Sequence, residues 1–145
     1  AIVDGVDGIT IAVHLCRRNW GRRGWGAAGG YESILHQMRR LKVRQFLLEF
    51  SIPVAGDLAV LRELPGDIRI GLGCVDVRFP EIESAETIAE RAEKALAHVS
   101  ADRLVLNPDC GFAPGKDHEI PLEEAYAKLK SLAGAAKLLR QRHTG

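Results

Sequence analysis

Four short apolar runs punctuate the chain, centred on Ile9–Val13, Phe46–Leu48, Ile68–Val75 and Leu104–Leu106. Each is three to eight residues long, rich in Val, Ile and Leu, and bounded by Gly, Pro or charge, which is the pattern of a buried strand. They predict strands over residues 8–13, 43–48, 68–75 and 103–106. Between and after them the period lengthens to that of a helix. Ile34, Leu35, Met38 and Leu41 predict a helix over 31–41 with these four in the core. A short helix is predicted over 57–64, stopped by Pro65-Gly66. Ile88, Ala92, Ala95, Leu96 and Val99 make one stripe of a helix over 85–99. A last helix over 122–140 follows Pro121 and ends in basic residues. Residues 1–7, with the turn pairs Asp4-Gly5 and Asp7-Gly8, read as the frayed end of a preceding helix and its loop.

The resulting order, β-α-β-α-β-α-β-α, argues for an α/β fold with a parallel sheet covered by helices. At 145 residues the chain fits a single domain, 1–145. Parallel α/β proteins carry their chemistry at the carboxyl ends of strands. That is where the unusual polar residues fall: His14 and Cys16, Glu49, Asp76 and Arg78, and Cys110. His14 and Cys16 are two apart and share one face of a strand. Imidazole and thiolate are the ligand types that zinc favours. Singly, each has a plainer reading: a hydrogen-bonded histidine, small buried cysteines, a strand-end charge. Four such residues at three strand ends make His14, Cys16, Glu49 and Cys110 candidate zinc ligands. Cys74, inside the third strand, reads as packing. His36, His98, His118 and His143 lack metal spacing and read as surface residues.

Composition narrows the classes further. Apolar residues are 46% and charged residues 27%, the balance of a globular protein. The formal net charge of +1 gives no bulk attraction to nucleic acid or an anionic membrane. The basic cluster Arg17, Arg18, Arg22, Arg23, flanked by Trp20 and Trp25, lies in a glycine-rich loop over 17–30 and reads as a solvated arginine loop near an anionic ligand. No apolar run approaches the ~20 residues of a membrane span. Three cysteines, an odd count with no secretory signal visible, point to reduced thiols in a cytoplasm, free for metal.

His14-Leu15-Cys16, the strand-end Glu49, the segment from Asp76 to Pro80 and Asn107-Pro108-Asp109-Cys110-Gly111 together resemble the zinc site of the cobalamin-independent methionine synthase family, in its C-terminal catalytic domain. The resemblance covers essentially the whole chain. It implies a (β/α)8 TIM-barrel type of fold, of which this chain would be about four βα units, a half barrel made of strands five to eight. Arg17-x-Asn19 is closer to shorter, methionine synthase II-like relatives. The resemblance implies zinc on His14, Cys16, Glu49 and Cys110, and methyl transfer to a thiol, as between 5-methyltetrahydrofolate and homocysteine in methionine synthesis. A related epoxide–thiol transferase shares that chemistry. The family has histidine where Arg78 stands and tends to glycine where Arg18 stands. An arginine cannot give up a proton near neutral pH but binds anions well, so Arg78 is expected to hold an anionic substrate group. Arg17, Asn19 and Asp76 are candidate substrate-binding residues with it.

Two other functions remain open at this point. One is a non-catalytic or split-enzyme zinc-binding half barrel, completed by a longer chain, a separate subunit or a second copy. The other is a nucleic-acid or anion-binding module built on Arg17 to Arg23, which the net charge disfavours. An isolated half barrel is expected to leave its first and last strands as unpaired apolar edges and its inner face wet.

Overall fold

The computed structural model of the chain describes residues 5–19, 21–113 and 119–143. Four strands, β1 (Ala12–Leu15), β2 (Gln45–Glu49), β3 (Arg69–Val75) and β4 (Leu104–Pro108), form one wholly parallel sheet in chain order. Three α-helices connect or follow them: α1 (Leu35–Met38), α2 (Ala85–Leu96) and α3 (Leu122–His143). The segment expected as a helix over 57–64 is a 3-10 helix, Leu58–Glu63, whose Asp57 side chain accepts from the Ala59 N–H.

Two expectations need correction. The first strand runs Ala12–Leu15, later than the predicted 8–13. Ile9, taken as buried, is 65% exposed, because pairing with β2 starts only near Ile11, whose carbonyl accepts from the Arg44 N–H. The helix predicted over 31–41 shrinks to a 3-10 turn, Glu32–Ile34, and one turn of α1. Its inward face is also rotated. Tyr31, Leu35 and Met38, spaced i, i+4, i+7, face the core, while Ile34 and Leu41 are exposed. The helix expected over 85–99 forms over Ala85–Leu96, three residues shorter at its end, and starts on Ser84, whose hydroxyl accepts from the Thr87 N–H at 3.1 Å. The basic C-terminal turn of α3 reaches His143. His118 lies outside the described residues.

One face of the sheet makes the core. Phe46, Leu48, Ile70, Leu72 and Cys74 are buried against Ile88, Ala89, Ala92 and Ala95 of α2 and Leu132, Ala135 and Leu139 of α3. Each large side chain so enclosed contributes roughly 1.5–3 kcal/mol. The opposite face carries the rows His14–Leu47–Gly71–Val105 and Glu49–Gly73–Asn107. Ala12 and His14 are exposed there, and Leu47, Val105 and Asn107 only half-buried. The loop after β3 is fastened to α3 by Lys128. Its buried ammonium donates to the carbonyls of Asp76, Phe79 and Glu81 at 2.9, 2.9 and 2.7 Å.

Candidate metal centre

The register of the sheet assembles the site. In a parallel sheet, paired residues share a face, so the row that holds Glu49 is the one His14 and Cys16 approach from β1. Cys110 enters from the loop after β4. One ligand atom each from His14, Cys16, Glu49 and Cys110 lies within 4.8 Å of the other three. The two sulfurs are 3.7 Å apart, and His14 Nε2 is 3.7 Å from Glu49 Oε1.

Three features prepare this cluster. His14 Nδ1 is 3.2 Å from the Leu47 carbonyl, which fixes Nδ1 as the protonated nitrogen and leaves Nε2 as the free lone pair facing the cluster. The Arg18 N–H donates to Cys16 Sγ at 3.2 Å. It can do so because Arg18 has φ of 67°, the left-handed conformation in which glycine is the cheapest occupant. Partial desolvation raises the Cys16 thiol above its ordinary value, against the pull of that N–H and of His14. Glu49, fully buried, is held at both ends. Its Oε1 accepts from the Arg17 N–H at 3.0 Å and its Oε2 from Arg78 Nη2 at 2.5 Å. Its backbone is held as well: the Glu49 N–H donates to Tyr31 Oη at 2.8 Å, and that hydroxyl donates to the Glu49 carbonyl at 3.3 Å.

The residues expected to bind substrate, Arg78, Asp76, Arg17 and Asn19, make contacts within the chain. Arg78 is 1% exposed. Besides Glu49, its guanidinium reaches Asp76 Oδ1 at 3.0 Å and Asp109 Oδ2 at 3.2 Å. Asp76 also takes the Arg78 N–H at 2.8 Å. Arg17 is buried over the Tyr31 ring, 4.4 Å from its centroid, and donates to the Ala55 carbonyl at 3.1 Å. Asn19, also buried, caps the loop by accepting from the Arg22 N–H at 3.1 Å. Arg22 itself is engaged bidentately by Glu124 of α3 at 2.9 and 2.8 Å, so at least two arginines of the basic cluster serve the fold.

Two participants were not found by sequence reasoning. In the sequence Tyr31 marks only the start of a predicted helix, although a tyrosine buried at the head of a helix needs a partner for its hydroxyl. Asp109 is legible there only as part of the segment Asn107 to Gly111. It accepts from the Phe50 and Ser51 N–H groups, each at 3.2 Å, and from Ser51 Oγ at 2.5 Å. Burial pushes its carboxyl up to about 7 despite these donors and Arg78. Cys74 packs in the core as expected, and burial takes its thiol to about 12.

Comparison with known proteins places this geometry. Residues 5–138 match the family model described as the cobalamin-independent synthase catalytic domain, and the chain belongs to that family. Among relatives, it is 34% identical over 143 residues to methionine synthase of Pyrococcus horikoshii, spanning 97% of this chain and 37% of that protein. It is 33% identical over 139 residues to the uncharacterized protein YxjH of Bacillus subtilis, spanning 94% and 37% respectively. Its fold superposes on a B12-independent methionine synthase from Shewanella sp. W3-18-1, solved in complex with selenomethionine, with a TM-score of 0.79 at 23% identity, covering 97% of this chain and 41% of that one. The chain thus spans less than half the length of the relatives it matches. Among the described residues, no helix is long and apolar enough to cross a membrane.

Proposed function

We propose that this chain carries the zinc site of a thiol methyltransferase, and that His14, Cys16, Glu49 and Cys110 are its ligands. The observation that carries the reading is their convergence: one imidazole, two thiols and one carboxylate within 4.8 Å, in a chain of the cobalamin-independent synthase family. The donor set fits zinc, which takes nitrogen, sulfur and oxygen ligands in a compact shell. Zinc, when bound, supplies the positive charge that strips the proton from a substrate thiol near neutral pH and leaves its sulfur nucleophilic. The rest falls to the chain. His14 presents Nε2 because Leu47 occupies Nδ1. Cys16 is steadied by the Arg18 N–H. Glu49 would supply the one oxygen donor of the set, held in place by the Arg17 N–H and Arg78. The relatives named methionine synthase point to homocysteine as the thiol and methyltetrahydrofolate as the donor.

The open sheet face and the coverage of relatives support a second element of the reading. These four strands form half of an eight-stranded barrel, and turnover needs the other half, as more of the same chain or as a separate subunit. The activity test therefore supplies that half. The site test does not need it. Purified 145-residue chain should bind one zinc per chain, and Cys110→Ser should weaken binding by at least the ~10–100-fold that even an outer partner of a metal ligand is worth. Zinc affinity equal in the wild type and in Cys110→Ser would sink the assignment.

A further inference from the structure

Arg78 is the largest fully buried side chain among the described residues. A buried guanidinium is tolerated only where anions and hydrogen bonds compensate it. Here three carboxylates do so, one from the end of each of three neighbouring strands: Glu49 as the last residue of β2, Asp76 after β3, Asp109 after β4. The contact to Glu49 is the shortest, and both side chains are fully enclosed. It falls on Oε2 alone. Oε1 is the oxygen nearest His14 Nε2. One oxygen of the carboxylate is thus tied to Arg78, and the other lies on the side of His14.

We infer that Arg78 is a positioning residue for the metal centre: by holding Oε2 it presents Glu49 as a one-oxygen ligand. This deepens the zinc reading above and rests on it. A carboxylate with nothing holding Oε2 is free to rotate, and a rotated one no longer keeps Oε1 on the side of His14 Nε2. Oε2 carries a short bond from a charged guanidinium, whereas Oε1 carries only the neutral Arg17 N–H and keeps a second lone pair for a metal, so the pairing disfavours closure through both oxygens. Arg78 reaches Glu49 through Nη2 and Asp76 and Asp109 through Nη1, a division that a lysine, with one nitrogen, cannot reproduce.

The test is a double-mutant cycle read in metal affinity, not in turnover. Zinc dissociation constants are measured by chelator competition on the 145-residue chain for the wild type, Arg78→Gln, Glu49→Ala and the double variant. The visible spectrum of the cobalt-substituted forms reports ligand geometry independently. Arg78→Gln should weaken zinc binding by ~10–100-fold and shift the cobalt bands, whereas in the Glu49→Ala background the same change should move the affinity by less than about twofold. Equal loss in both backgrounds would mean that Arg78 acts elsewhere and overturns the inference, as would no loss in either. Circular dichroism checks folding. Should Arg78→Gln not fold, Arg78→Lys, which keeps the positive charge, takes its place in the cycle with the same expectations. A wild-type chain that binds no zinc ends both readings. Zinc binding that depends on Cys16 and Cys110 but not on Arg78 ends only this one.

Discussion

A thiol has to lose its proton before it can hold a metal, and this couples the site to pH through Cys16. Its value is raised above the ordinary thiol, first by desolvation of the sulfur. Below that value, metal binding releases the proton, so affinity climbs with pH by about tenfold per unit for that thiol. Because the value is raised, the climb should persist through pH 9 instead of flattening below it. Zinc competition titrations between pH 6 and 9.5 would show this; an affinity independent of pH across that span would contradict it. The three cysteines should also separate by reactivity. Cys74 is enclosed and pushed up to about 12, so it has almost no thiolate near neutral pH. Iodoacetamide on the native chain, read by mass spectrometry, should modify Cys16 and spare Cys74, and zinc should slow the reaction at Cys16. Rapid labelling of Cys74 in the folded chain would contradict its place in the core.

At the scale of the element, β3 shows how backbone bareness makes room for the site. A Cβ on Gly73 would lie 2.5 Å from Asp109 Oδ1 and 2.6 Å from the Leu48 carbonyl. The carbonyl belongs to a paired strand and cannot move aside. Gly73→Ala should therefore cost about 1–3 kcal/mol, the usual penalty for overpacking. Gly111→Ala, whose Cβ would meet nothing within 4 Å, should stay within about 0.5 kcal/mol. Urea unfolding of the two variants is the measurement, and equal midpoints would refute the packing argument. The elements also show what could be read in advance. The strands were legible because apolar runs are local, and the ligands because each stands at or beside a strand end. The segment over 31–41 misled because its apolar residues offer two overlapping helical faces, and only the hydrogen bonds between Tyr31 and Glu49, 18 residues on, decide which turns inward. Arg78 was illegible for a stronger reason. An arginine is buried only when its counter-charges are, and two of its three, Glu49 and Asp109, lie 29 and 31 residues away.

For the whole molecule, the decisive feature is a sheet finished on one side only. The face toward α2 and α3 is a packed core, whereas the other exposes Ala12 and His14 and leaves Leu47 and Val105 half-wet. β1 and β4 are both edges. Pro108 blunts the last position of β4, but Leu104, Val105 and Leu106 before it can still pair. Beside that edge, a groove of about 680 Å³ runs between β4 and α3, lined by Leu104, Leu106, Leu129, Leu132 and Leu139. Parallel strands are stable when both faces are covered, and here one face, two edges and an apolar groove all await cover. The relatives, of which this chain spans 37%, have more than enough further length to supply it. The isolated 145-residue chain should therefore associate with itself at micromolar concentration or bind a hydrophobic dye in its folded state. Adding the complementary strands, as a separate polypeptide or on the same chain, should abolish both behaviours and raise the unfolding midpoint. Sedimentation velocity with dye fluorescence decides the matter. A cooperatively unfolding monomer that binds no dye would show that the open face is stable in water, and the half-barrel reading would fall with it.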